Sequence, residues 1–161
     1  MVKNYTISFE EFQNADELNT SEKNLFYQSK EAAKQAYAPY SKFRVGCAIE
    51  LENGQIILGN NQENAAYPSG ICAERVAFFH ASANYRGIKI LKAAIYAESE
   101  LFTVDYAVSP CGACRQAMSE YEQNQQSPII LIMGGEKGPI TKTQAISDLL
   151  PLLFSKSSLN L

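Results

Sequence analysis

SGICAERVAFFH, residues 69–80, sets a cysteine, a glutamate and an arginine within four consecutive positions, and SPCGACRQ, residues 109–116, adds two cysteines at x-x spacing. Both stretches read as helix openings. Apolar residues recur at helical spacing from about Cys72 to Tyr85, and Gly87 stops the pattern. Ser109–Pro110 predicts the next helix, with serine as cap and proline in the first turn. IKILKAAIYAE (88–98) and PIILIMGG (128–135) read as buried strands on either side of that helix. Strands joined by a helix imply parallel neighbours.

Upstream, TSEKNLFYQSKEAAKQAYAPY (20–40) places Leu25, Phe26, Ser29, Ala32, Ala33 and Ala36 at helical spacing before Pro39 ends the run. FRVGCAIELENGQIILGN (43–60) is two β-rich runs around Asn53–Gly54, a strong hairpin signal. A polar loop, NNQENAAYPSG (60–70), follows, and Thr141–Leu150 predicts a short last helix. The expected fold class is α/β: three layers, α/β/α, around a mixed sheet of about five strands. Residues 1–19 read as an extended N-terminal lead, and residues 20–161 as one domain.

Composition narrows the function classes. The chain has 161 residues, 46% hydrophobic and 19% charged, with a net charge of −3. That describes a folded domain with a substantial core. There is no Lys/Arg cluster of the kind that grips phosphates, so neither nucleic acid nor an anionic membrane surface is an expected partner. The opening MVKNYTISFEEF has no apolar run of signal-peptide length, and the expected location is the cytoplasm.

The four cysteines are Cys47, Cys72, Cys111 and Cys114. In a reducing compartment such residues act as ligands or catalytic groups more often than as disulfides. Cys111 and Cys114 can converge on one ion, and Cys72 opens another helix. Helix N-termini carry partial positive charge that favours thiolates. Soft sulfur donors point to zinc, and three of them leave a fourth position open for catalysis. A redox Cys-x-x-Cys pair and a closed structural site completed by Cys47 are the competing readings. Glu74 separates them: a hydrolytic zinc site uses a carboxylate beside the metal to move protons from bound water, and a structural site does not.

The combination Cys-Ala-Glu and Pro-Cys-x-x-Cys resembles the core signature of the zinc-dependent cytidine deaminase fold. The likeness extends to AYAPYSKFRVG (36–46), NQENAAYPSGICAER (61–75) and DLLPLLFS (148–155). Many relatives carry histidine in place of Cys72, and the all-cysteine form resembles the small homotetrameric enzymes that act on free nucleosides. The resemblance implies hydrolytic deamination of cytidine and 2′-deoxycytidine to uridine and 2′-deoxyuridine, with release of ammonia, in pyrimidine salvage. Other readings are a deaminase of a modified cytosine nucleoside of the blasticidin type and, from another class, a structural zinc module.

The resemblance also implies roles. Cys72, Cys111 and Cys114 hold one zinc per subunit, and Glu74 carries a proton from the bound water to N3 of the ring. Phe43 lies against the base, and Asn61 and Glu63 hold the sugar 3′-hydroxyl. Gln62 stands where an aliphatic residue is common and adjoins the sugar side. Ala65, Tyr67 and Phe154 match positions that reach a neighbouring subunit's pocket, which implies a homotetramer. Arg75 shares a helix face with Cys72 and is placed to offset the charge of three thiolates. Arg115 is a weaker candidate for that task. His80 reads as structural or interfacial.

Overall fold

Alternation along the central strands builds two cores from one sheet. In β2 (Phe43–Leu51), Cys47, Ile49 and Leu51 face one side while Ala48 faces the other. In β4 (Ile90–Ser99), Ala93 and Ile95 share the first face, and Ala94 and Tyr96 the second. This is the period-two pattern of strands covered on both sides. The computed structural model describes residues 1–159, so the last two residues of the expected catalytic domain lie outside the described residues.

Helix α1 (Thr20–Ala33) covers the second face with Leu25, Phe26 and Ala33. Its N-cap Asn19 accepts from the Glu22 N–H at 3.0 Å. Helices α2 (Ala73–Asn84) and α3 (Gly112–Gln125) cover the first face. Phe78 of α2 is fully buried there, and truncating such a side chain to alanine costs about 3–5 kcal/mol. The three-layer α/β/α architecture is therefore as expected.

The sheet has six strands, in the order β1-β6-β5-β4-β2-β3. Hairpin β2–β3, with β3 at Ile56–Asn60, is antiparallel, as is β2–β4. Strand β5 (Ile130–Gly134) runs parallel to β4, as the intervening α3 predicts. The count exceeds about five because of the two ends of the chain. The helix expected over Thr141–Leu150 is instead β6 (Ile140–Thr143) followed by a 3-10 turn, Ile146–Leu149. Thr141 and Thr143 are β-branched and pair with Met133 and Leu131 of β5, so sheet pairing overrides the short helical pattern. The buried Glu122 carboxylate fixes the turn, accepting from the N–H groups of Ile146 and Ser147 at 2.7 and 3.0 Å.

Within the first 19 residues, β1 (Phe9–Phe12) pairs antiparallel with β6. Lys142 of β6 ties it down, with Nζ 3.2 Å from Glu10 and 3.3 Å from Glu22 of α1. Helix α1 ends at Ala33, before Ala36.

Candidate metal centre

Topology brings two helix N-termini together. Helix α2 leaves the C-terminal end of β3, and α3 follows the C-terminal end of β4. Those ends lie on the same edge of the sheet, because Gly46 of β2 pairs with both Asn60 and Tyr96. Gly59 lets α2 lie directly on β3: a Cβ there would stand 2.4 Å from the Ala73 carbonyl oxygen. Any larger residue at position 59 would push the start of α2 outward.

Cys72 and Cys111 occupy the N-cap positions of these helices. Both have extended backbone, at φ −76°, ψ 154° and φ −64°, ψ 164°. Their carbonyls accept the first helical bonds, from Val76 at 3.1 Å and Arg115 at 3.0 Å. Neither sulfur caps its helix. A serine or aspartate there would contribute about 0.5–2 kcal/mol of capping, and cysteine forgoes this while keeping its sulfur free. The cap of α3 is therefore Cys111, two residues beyond the expected Ser109. Pro110 stays outside the helix, its carbonyl held by Arg115 Nε at 2.8 Å.

Cys114 lies one turn into α3 and is fully buried. The ligand atoms of Cys72, Cys111 and Cys114 all lie within 4.8 Å of one another, with 3.9 Å between the Cys72 and Cys111 sulfurs. Sulfurs bound at about 2.3 Å to a tetrahedral zinc stand about 3.8 Å apart, so the cluster fits that ion. The donor chemistry agrees. The neighbouring Cys114 thiol, against partial burial and with help from Arg75, lowers the Cys72 thiol to about 5. The Cys72 sulfur, together with burial, pushes the Cys114 thiol up. Three thiolates at this spacing need a divalent cation to coexist.

Glu74 follows in the first turn of α2 and is only 4% exposed. Burial raises its carboxyl above the ordinary carboxylate range, and the Cys72 charge pushes the same way. A buried carboxyl beside a thiol cluster, with no salt bridge among the described residues, is suited to holding a proton and passing it on. Arg75 Nη2 stands 3.8 Å from the Cys72 sulfur, and its buried Nε has no hydrogen-bond partner among the described residues. Arg115 turns elsewhere, donating to the carbonyls of Pro110 and Leu149. Cys47 is wholly buried between Gly59 and Ile95, outside the cluster. His80 is exposed and also outside it.

Beside Cys72 and Arg75 opens a cleft of about 500 Å³ whose walls include Tyr40, Ser41, Asn61, Gln62, Glu63 and Tyr67. Asn61 and Glu63 both point towards the segment leading into β2. Asn61 Oδ1 accepts from Val45 N at 2.8 Å, and its Nδ2 donates to Phe43 O at 3.0 Å. Glu63 Oε2 accepts from the amides of Tyr40 and Ser41 at 2.9 and 3.2 Å. Against desolvation, the Ser41 hydroxyl and these two amide hydrogen bonds hold the Glu63 carboxyl below its usual range. Gln62 turns the other way, onto Asn60, while its main chain bridges Tyr37 and Ile71.

Phe43 is brought to the same edge of the sheet, but its ring does not line the cleft. It packs on Phe102, with centroids 6.2 Å apart. Ala65, Tyr67 and Phe154 are all exposed, the aromatic pair at 76% and 59%. Tyr67 leans on Tyr40, centroid to centroid 6.2 Å. Sequence reasoning missed the Tyr40 and Ser41 amides, because main-chain donors leave no trace in residue identity. It also missed Phe102, which stands in no motif.

Comparison with known proteins matches this geometry. The profile of the cytidine and deoxycytidylate deaminase zinc-binding region matches residues 19–127. The chain is 45% identical over 137 residues to a cytidine deaminase of Sporosarcina psychrophila, an alignment covering 84% of this chain and 93% of that one. It is 35% identical to a cytidine deaminase of Halalkalibacterium halodurans, with 84% and 96% covered. The crystal structure of cytidine deaminase from Burkholderia pseudomallei superposes with a TM-score of 0.71 at 36% identity, over 81% of this chain and 97% of that one. With its paired helix N-termini, its three converging sulfurs and these relatives, the chain belongs to the cytidine and deoxycytidylate deaminase zinc-binding family.

Proposed function

We propose that this protein hydrolytically deaminates cytidine and 2′-deoxycytidine, giving uridine and 2′-deoxyuridine plus ammonia, as a step of pyrimidine salvage. The observation that carries this reading is the convergence of three cysteine sulfurs within 4.8 Å beside the buried carboxyl of Glu74. Cys72, Cys111 and Cys114 would hold zinc, which would supply a water molecule of lowered pKa. Glu74 would take one proton from the attacking water as its oxygen adds to C4, and pass that proton to N3 of the cytosine ring. The second proton of that water would pass through Glu74 to the exocyclic amine, which leaves as ammonia when the C4–N bond breaks. Arg75 draws charge from the ligand sulfurs, since three thiolates leave a Zn²⁺ site at a formal −1.

On the sugar side, Asn61 and Glu63 bind the ribose 3′-hydroxyl, an acceptor and donor that suits an amide beside a carboxylate. Their bonds to β2 and to the 40–41 amides hold them in place for that contact. Gln62 shapes the neighbouring wall, and Phe43 lies against the base. Ala65, Tyr67 and Phe154, exposed on the single chain, complete the pocket of a neighbouring copy in a homotetramer. The catalytic domain is residues 20–161, with residues 1–19 as a lead whose β1 forms one edge of the sheet. No helix among the described residues is long and apolar enough to cross a membrane. The location proposed for the enzyme is the cytoplasm.

Chromatography of purified protein incubated with cytidine or 2′-deoxycytidine tests this. Uridine or 2′-deoxyuridine and an equal amount of ammonia are expected. Intact substrate after incubation with zinc-loaded protein would refute the reading.

A further inference from the structure

Between β4 and α3 the chain makes a long excursion, and its tip is apolar: Leu101 is 71% exposed and Phe102 52%. Exposed loop tips are ordinarily small and polar. This one is also built rather than loose. Glu136 Oε2 accepts from the Ser99 and Val104 amides at 3.4 and 2.9 Å, closing the loop across its base. Val104 is wholly buried, and its carbonyl accepts from Lys137 N at 3.1 Å. Gly138, at φ +78°, lets the next residue lie against the β5–β6 turn; a Cβ there would stand 2.1 Å from the Asp105 carbonyl oxygen. On the other limb, Glu100 N donates to Lys42 O at 3.0 Å. Lys42 adopts a left-handed conformation, φ +57°, which is unfavourable for a side chain of that size.

The loop therefore grips the entry to β2 twice. Residue 100 holds the main chain just before Phe43, and the Phe102 ring lies 6.2 Å from the Phe43 ring with planes 31° apart. Phe43 stands on the face that carries Cys47 and the starts of α2 and α3, since alternate strand residues share a face. We propose that residues 99–106 form a buttress behind the base side of the substrate site, outside the cleft itself, with Phe102 as a positioning residue that fixes the Phe43 ring. The inference rests on the deaminase reading above.

A ring that acts through Phe43 bears on bound substrate and on transition state alike. It affects KM and leaves kcat, a pattern that general loss of folding or of zinc does not give. Phe102→Ala is expected to raise KM for cytidine on the order of three- to tenfold, the scale of an aromatic pair, with kcat and zinc content as in the parent. Phe102→Tyr is expected to restore the parent KM. An unchanged KM in Phe102→Ala, or a fall in kcat with loss of zinc, overturns the inference. The parent protein is assayed alongside: an inactive, zinc-loaded parent overturns the deaminase reading itself, whereas an active parent with an indifferent Phe102→Ala overturns only the role of the loop.

Discussion

The cysteine cluster and the polar loop beside it are built on opposite principles. At the cluster, the chemistry resides in side chains that the fold leaves unengaged: two sulfurs sit at helix caps and cap nothing. In the loop, the side chains are engaged with main chain: Asn61 holds β2 by two hydrogen bonds, and Glu63 holds two amides of the 40–41 turn. Loss of a cluster residue should thus remove function and spare the fold, whereas loss of a loop residue should disturb both.

The sharpest expected contrast is Glu74→Gln. Without a group to carry the proton, turnover should fall by about 10²–10⁴-fold, with zinc content and thermal melting unchanged. Steady-state rates on metal-assayed protein check this; an active mutant would end Glu74's role. Next come the two arginines, Arg75 three residues after Cys72 and Arg115 immediately after Cys114. Arg75→Ala should weaken zinc retention by about 10–100-fold, because Arg75 faces the Cys72 sulfur. Arg115→Ala should lower melting temperature instead, because it releases the carbonyls of Pro110 and Leu149. Competition with a chromophoric chelator distinguishes them, and equal zinc affinities would erase the distinction.

Asn61→Ala should do what no cluster mutation does, raising KM and lowering stability together. Two bonds to β2 are lost, one of them from a main-chain amide, on a scale of about 1–3 kcal/mol. Denaturant unfolding measures it, and a stable mutant with altered KM alone would break the comparison. The smallest effect concerns Glu63. Its carboxyl is held below the usual range, so its grip is complete above the ordinary carboxylate pKa, about 4.3. The grip is lost as pH falls through the lowered value. Protection of the Tyr40 and Ser41 amides, corrected for intrinsic exchange, should decline only in that acid window.

The same contrast explains what was legible in the sequence. The convergence of Cys72, Cys111 and Cys114 was legible because zinc chemistry constrains residue type and spacing, and α2, the hairpin and β4 because their periodicity is strong. Ser109–Pro110 carries good cap chemistry two residues ahead of the actual cap, Cys111, which makes no capping bond. Strand β6 was hidden because four residues have too short a pattern to outweigh a neighbouring helical one. Strand β1 depends on β6 for its partner and could not be read before it. The Tyr40 and Ser41 donors and the Phe43–Phe102 pair are juxtapositions across long stretches of chain, visible only after folding.

The central claim is that the three cysteines hold zinc and that hydrolysis of cytidine requires it. The most direct test follows zinc content and cytidine turnover in one sample through chelation and stepwise return of zinc. Both should vanish together on chelation and return in proportion, saturating at one zinc per chain. Turnover that persists in zinc-free protein, or zinc that returns without turnover, would contradict the account.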